Sequence, residues 1–564
     1  MLRRSRFNLT FENKLSCKMA KLIPVLSAEC LPGDSFSIST DSLIRFAPLI
    51  APVMHTVDVY FHYYFVPNRI LWDNGKNDCW ETFITGGVSG EEAPAHPYIS
   101  FERTLPSALS DYLGVPSFDY STFNTTLLVD ALPFRAYDMI YNHWYRDQNL
   151  QEEVPISLTG GLDSISGTTL LNRNWEKDYF TSAFPSPQRG TGVSIPLSGD
   201  APIIGEGNVN GATTGNVSVV GNGKGMIVGT TGPAWYVGAS YDPEYAAGTP
   251  AFFKIPDDSY KGYPSGAAIA NMQTHSFDGD MDKAFGLSTV DPFGQTIGSM
   301  PVKGNLDLNS VKADMSGVSS VNISDLRKAS AIQRWLEKSM RFGSRYVEQL
   351  MSFFGVRPRD SRLQIPEYIG GFKTPILFSE VLQTSSTSST SPQGNMAGHG
   401  FGARIGKPMK YFCSEHGWLM GIMSIMPRTN YMQGLPRKLT RFGRYDYFFP
   451  DFQNIGEQEV KNKEIYAGTT AVTGDQVFGY QQRYAEYKMF PSEVHGAFKT
   501  SLDFWHLARK FDKLPNLNSD FVTAQPSTRI FADIDGDDDN VFVHINHHIM
   551  SKRPMAKFSK PSLR

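Results

Sequence analysis

Cysteine is scarce in this sequence: Cys17, Cys30, Cys79 and Cys413 are the only four in 564 residues, and no two form a C-x-x-C pair. That argues against a disulfide framework and against cysteine-based structural zinc, and it fits a reducing compartment. Charge is sparse as well, with 19% Asp, Glu, Lys and Arg and a formal net charge of -3. The chain as a whole is no polycation, so any nucleic-acid contact must come from local clusters or from a separate basic partner. Long apolar runs are missing; the run at 418–426 is too short to span a membrane, and no membrane insertion is expected. The opening MLRRSRFNLTFENK lacks the apolar centre of a signal peptide, which predicts a protein that stays in the cytoplasm where it is made. Catalytic signatures are absent too: there is no G-x-S-x-G, no H-E-x-x-H, no P-loop and no Gly-rich nucleotide fingerprint after a strand. What stays open is chemistry with scattered residues, such as the paired carboxylates of a glycosidase.

What is present favours strands and loops. Aromatics make up 13% of the chain, with 50 Gly and 35 Pro, a mix poorly suited to helix bundles. Residues 57–66, VDVYFHYYFV, are dense in aromatic and β-branched side chains and predict a strand buried on both faces, ended by Pro67. The run at 418–426, bounded by Gly417 and Pro427, reads as a second buried strand. Alternation predicts further strands at 7–11, 35–40 and 541–550, and 477–490 is aromatic and strand-like. Two helices are expected. One covers 136–147, with Tyr137, Ile140, Tyr141 and Trp144 on one side. The other covers 324–354, capped by Ser324 and stopped by Gly355, with Arg334, Lys338, Arg341 and Arg345 in one basic stripe.

Three stretches stand out as candidate functional surfaces. Residues 434–450 run from a basic patch into an aromatic one: Arg437, Arg441 and Arg444 beside Lys438, then Tyr445, Tyr447, Phe448 and Phe449. A long surface loop with aromatics packed under it is one reading. A contact surface is the sharper one, because Arg and aromatic residues are enriched where protein surfaces bury one another. Residues 191–310 are rich in Gly, Thr, Ser and Asn; Val217, Val219, Met226, Trp235 and Tyr236 among Gly turns predict a small, mostly β excursion rather than a flexible tract. Finally, both ends are basic: Arg3, Arg4 and Arg6 at one, Lys552, Arg553, Lys557, Lys560 and Arg564 at the other. Segregated positive charge of this kind attracts single-stranded DNA through counterion release, although charged termini also occur simply as solubilising tails.

Metal sites are not expected. The acidic run Asp533 to Asp539 misses the calcium-loop pattern, since its Gly536 is fourth and His544 stands where a Glu is needed. His544 and His547 fall on opposite faces of a strand, and no fourth zinc ligand is evident. No cofactor is implied.

Six segments together carry a family resemblance: residues 21–72, KLIPVLSAECLPGDSFSISTDSLIRFAPLIAPVMHTVDVYFHYYFVPNRILW; WYRDQNLQ at 144–151; DYFTSAFPSPQRG at 178–190; RLQIPEYIGG at 362–371; SPQGNMAGHG at 391–400; and VFGYQQRYAEYKMFPSEVHGAF at 477–498. In this order they resemble the major capsid protein of microviruses, specifically the gokushovirus group of single-stranded DNA bacteriophages. The resemblance implies a mainly β fold, an eight-stranded antiparallel jelly-roll barrel with long loop insertions and a few helices. It implies an organisation into residues 1–190, an insertion at 191–310 that gathers around threefold axes as a surface protrusion, and 311–564 with a basic tail. It further implies self-association into a T=1 icosahedral shell of sixty copies around circular single-stranded DNA; if both basic ends line its interior, DNA contacts should concentrate there. Expected partners are a small basic internal DNA-binding protein, a scaffolding protein during assembly, and a host receptor met by the insertion. The SPQGNMAGHG segment, inside a low-complexity stretch, is then expected to lie ordered against a neighbouring subunit. A β-rich carbohydrate-active enzyme and a lectin-like adhesin remain as alternatives from other classes.

Overall fold

The computed structural model describes residues 4–87, 92–123, 125–190, 323–342, 351–352, 360–382, 384, 393, 396–532 and 539–558, together with the backbone of short strands between 203 and 313. It separates into two compact units, residues 1–192 with 333–564, and residues 193–332.

The first unit is built on one antiparallel sheet. Its ten strands are β1 Ser5–Asn8, β2 Phe11–Cys17, β3 Ile23–Cys30, β4 Ser35–Phe46, β5 Val57–Pro67, β6 Glu367–Leu382, β7 Met396–Arg404, β8 Met409–Phe412, β9 Gly417–Pro427 and β10 Val541–Arg553. The order is β1-β10-β4-β7-β6-β5-β9-β3, an eight-strand run, with β2 also on β10 and β8 also on β4. The long strand β6 joins two halves: Glu367–Ile376 pairs with β5, and Leu377–Leu382 pairs with β7. The halves curl over one another, because one apolar cluster takes Phe36, Ile38 and Ile44 from β4 and Val543, Ile545 and Ile549 from β10 together with Phe61, Tyr63 and Phe65 from β5 and Leu419 and Met423 from β9. The result is a mainly β, antiparallel curled sheet, a half-barrel consistent with the barrel fold that the family resemblance implies.

Polar side chains tie the halves through that core. Thr40 on β4 meets the Tyr63 hydroxyl at 2.6 Å and His547 Nδ1 at 3.0 Å, while His547 Nε2 lies 3.1 Å from the Val25 carbonyl. Burial pulls the His547 pKa down to about 4, so the ring stays neutral and its two nitrogens are spent on positioning.

Strand β5 is buried on both faces as expected, and the reason lies outside the barrel. Its Tyr64 and Val66, with Met420 and Ile422 of β9, face a second cluster built on helix α1, Leu132–Ile140. The helix starts four residues before the expected 136, with Pro133 in its first turn, where a missing N–H costs nothing. It continues as a π-helical turn over Tyr141–Tyr145. Arg135 on α1 is fully buried: Nε donates to Asp163 at 2.7 Å, and Nη1 and Nη2 donate to the Leu71 and Thr159 carbonyls. One guanidinium thus fastens two long loops to the barrel.

Other expectations shift. The strand at 477–490 is Val477–Gln482 only, followed by a 3-10 turn at Ala485–Tyr487. Helix α2 runs Ile323–Phe342 among the described residues, so Ser324 sits inside the first turn rather than capping it. Of the stripe on α2, Arg341 has an interior partner, Glu457, at 2.6 Å, while Arg345 and Gly355 lie outside the described residues. In the second unit the described strands are antiparallel: Val217–Val220, Lys224–Ile227 and Trp235–Val237 form one sheet, Met272–Thr274, Phe285–Val290 and Thr296–Val302 another.

Candidate nucleic-acid interface and subunit-contact surface

The two basic ends of the chain meet in one ladder. Strand β1 lies antiparallel to the end of β10, with Ser5 opposite Arg553 and Arg6 opposite Lys552. What reads in sequence as a C-terminal tail from 552 is therefore strand as far as Arg553. Alternation along β10 sends Val541, Val543, Ile545, His547 and Ile549 into the core and leaves His544, His548 and Lys552 outside. On β4 the same alternation turns Arg45 outward, and Lys14 of β2 and Lys410 of β8 join that face through their pairings with His544 and Ser37.

The electrostatics of this face are unbalanced. Arg6 and Lys552 are both exposed and stand opposite each other, and neither forms an ion pair among the described residues. Like charges directly opposite on paired strands repel and are destabilising. Two acids do lie on the face: Glu12 pairs with Lys14 at 2.9 Å, and Asp41 is 3.0 Å from His548. Four cations, Arg6, Arg45, Lys410 and Lys552, exceed what those acids neutralise, and Phe412 and Phe542 are exposed nearby on the same strands. Cations interleaved with rings suit a flexible polyanion with bases to stack.

The remaining terminal residues divide. Arg553 is held by the protein, 3.3 Å from Asp34 and donating to the Glu29 carbonyl. Arg4 lies over the Phe412 ring at 5.4 Å, and Lys557 is exposed. Arg3, Lys560 and Arg564 lie outside the described residues. Sequence reasoning missed Lys14, Arg45 and Lys410 because they are isolated in the chain; strand alternation was the one signal that could have found Arg45.

The loop at 434–452 folds as short 3-10 turns, Arg437–Leu439, Arg444–Asp446 and Pro450–Phe452. Here two of the cations are drawn in against acids. Arg437 reaches Glu464 at 3.2 Å and Arg441 reaches Glu486 at 3.0 Å, and both carboxylates are largely buried. Burial raises the Glu464 pKa, with Arg437 opposing it. Arg441 also lies 4.2 Å over the Tyr487 ring, and Arg444 lies over Tyr445. The rings point out: Phe442 is 90% exposed, and Tyr445, Tyr447, Phe448 and Phe449 are each more than 40% exposed. Tyr487, 44% exposed, extends the patch through its ring contact with Phe448 at 6.3 Å. Beneath it sits a third apolar cluster of Tyr179, Phe180, Tyr431, Val460, Ile465 and Phe478. Gly434 makes the docking possible, since a Cβ there would sit 1.9 Å from the Glu464 carbonyl oxygen.

Exposed rings grouped in this way are the composition found where one protein surface buries another. The residues expected on the surface insertion, Val217, Val219, Met226, Trp235 and Tyr236, all fall in its three-stranded sheet, with Met226 opposite both Tyr236 and Ser218. Among the described residues no group of His, Cys, Asp and Glu could hold a metal ion, and no helix is long and apolar enough to cross a membrane.

Comparison with known proteins gives a consistent answer. A family model described as capsid protein (F protein) matches residues 1–563. The capsid protein VP1 of Chlamydia phage 1 is 36% identical over 605 residues, covering 100% of this chain and 96% of the relative. That of Bdellovibrio phage phiMH2K is 35% identical over 531 residues, covering 92% and 87%. That of Spiroplasma virus 4 is 28% identical over 591 residues, covering 100% and 95%.

Proposed function

Because the chain belongs to the microvirus capsid-protein family, we propose that sixty copies of it close into a T=1 icosahedral shell around circular single-stranded DNA. The role is structural, that of a major capsid protein in the virion. The observation that carries the DNA half of this reading is the exposed Arg6–Lys552 pair on a sheet face with surplus cations. Repulsion across that ladder is relieved when a phosphate sits between the two side chains, and each such contact releases counterions. The shell half rests on the outward rings at 442–449, which gain by burial against a neighbouring copy at about 25 cal/mol per Å² of apolar surface.

In this reading the basic face lines the interior, with Arg4 and Lys557 beside it, and Arg3, Lys560 and Arg564 extend the same charge. The insertion at 191–310 gathers about the threefold axes as a protrusion and meets the host receptor. A small basic internal protein neutralises the remaining DNA charge, and a scaffolding protein guides assembly in the bacterial cytoplasm. The test is to co-express the chain with the phage's other assembly proteins and to separate particles by sedimentation. Small icosahedral particles that protect single-stranded DNA from nuclease are the expected result; a uniformly monomeric species overturns it.

A further inference from the structure

The end of β6 presents a sheet edge that no described strand pairs with. Up to Ile376 the strand has β5 on one side, but Leu377–Leu382 has only β7, and no described residue hydrogen-bonds to its other edge. Natural sheets protect such edges with lysine, proline or a bulge. Residues 377–382, Leu-Phe-Ser-Glu-Val-Leu, contain no lysine or proline, and the ladder with β7 runs through them without a bulge. Its apolar side chains are in solvent: Leu377 is 65% exposed, Val381 52% and Leu382 48%, and Met396 opposite Leu382 is exposed as well.

We propose that this edge pairs with the same edge of a second copy of the chain, extending the sheet across a twofold axis in antiparallel register centred on Ser379. The proposal rests on the capsid reading, which supplies the second copy. The register follows from the sequence. Centred on Ser379, Leu377 of each copy stands opposite Val381 of the other, so two apolar cross-strand pairs form, and Glu380 faces Phe378. Centred one position later, Glu380 would face itself, a like-charge pair in the middle of the contact. Glu380 is the one charge in the segment, so it selects the register. Phe378 is already occupied on its inner side, stacked edge-on against Phe46 at 5.6 Å, which holds the strand rigid. The cross-strand contact of Ser379 with His399, 2.8 Å apart, does the same on the outer face. The edge thus arrives pre-formed.

Two measurements decide it. In the proposed register Ser379 faces its own copy with Cα atoms roughly 4.5–5.5 Å apart, within disulfide reach. Cys17, Cys30 and Cys413 are buried, so the background needs only Cys79→Ser. In assembled particles treated with copper-phenanthroline, Ser379→Cys should run as a covalent dimer on a non-reducing gel, while Glu380→Cys, out of register, should stay monomeric. In the unmodified chain, hydrogen exchange at 377–382 should slow by about 100-fold or more between free subunits and particles. Particles without Ser379→Cys dimers, or with exchange at 377–382 unchanged, overturn the pairing and leave the capsid reading standing. Should Ser379→Cys not assemble, the exchange result decides alone. Failure of the unmodified chain to form particles overturns the capsid reading itself.

Discussion

The loop at 437–452 and the basic face of β10 and β4 carry the same residue types and treat them in opposite ways. In the loop Arg437 and Arg441 are drawn in against Glu464 and Glu486, and the rings are left in solvent. On the sheet face the core-forming alternation leaves Arg6, Arg45, Lys410 and Lys552 out with too few acids to match them, beside the exposed Phe412 and Phe542. The difference teaches that a basic-aromatic stretch does not define its partner; the acids folded against it do. A neutralised, ring-rich surface suits protein, and an uncompensated cationic one suits DNA.

The sharpest way to break the comparison is to remove a loop acid. Glu486→Leu leaves Arg441 and its buried surroundings without a counter-charge and should cost about 3–5 kcal/mol, read by thermal or urea unfolding of the subunit. Substitution of an acid beside the sheet face, Glu12→Gln, should change stability by less than about 1 kcal/mol, because that pair is exposed.

The interior repeats the contrast between paired and unpaired charge. Asp163 is bound by Arg135, whereas Asp138 receives the Gly167 N–H at 2.8 Å on one oxygen and has its other oxygen buried without a hydrogen-bond partner among the described residues. Burial, with the nearby Asp163 charge adding to it, raises the Asp138 pKa from 3.8 to about 8. Folding therefore takes up a proton: the stabilisation is complete below the unfolded value of 3.8 and is lost as the pH rises through about 8. Asp138→Asn, which keeps the neutral shape, should flatten that pH dependence and raise stability near pH 8 by on the order of a few kcal/mol. Unfolding measured across pH 4 to 9 checks it.

Exposed rings and exposed cations should separate by assay rather than by stability. Phe442→Ser with Phe449→Ser should leave subunit unfolding within about 0.5 kcal/mol of the parent and abolish particle formation, seen by sedimentation. The smallest effect belongs to Arg6→Gln with Lys552→Gln: particles should still form, while the salt slope of single-strand binding falls by roughly 0.7 per charge removed. Equal losses in both assays from either pair would erase the distinction between the two surfaces.

Much of this was legible before folding. The strand at 57–66, the buried run at 418–426 and the alternation at 541–550 all follow from side-chain chemistry local to each segment, and all three are strands of the barrel. The family resemblance rests on residue order alone. The sequence could also nominate Arg437, Arg441 and Tyr445 as a surface, since their density is a local property. It could not assign their roles, because Glu464 and Glu486 arrive from 20 to 50 residues further on and their distance in space is set by the third core cluster. Nor could it see that Arg6 and Lys552, more than 500 residues apart, would share one rung of a ladder. Hydrophobic periodicity fixes which face of each strand is buried; only closure of the sheet decides which outward residues become neighbours, and so where charge is left over for a partner.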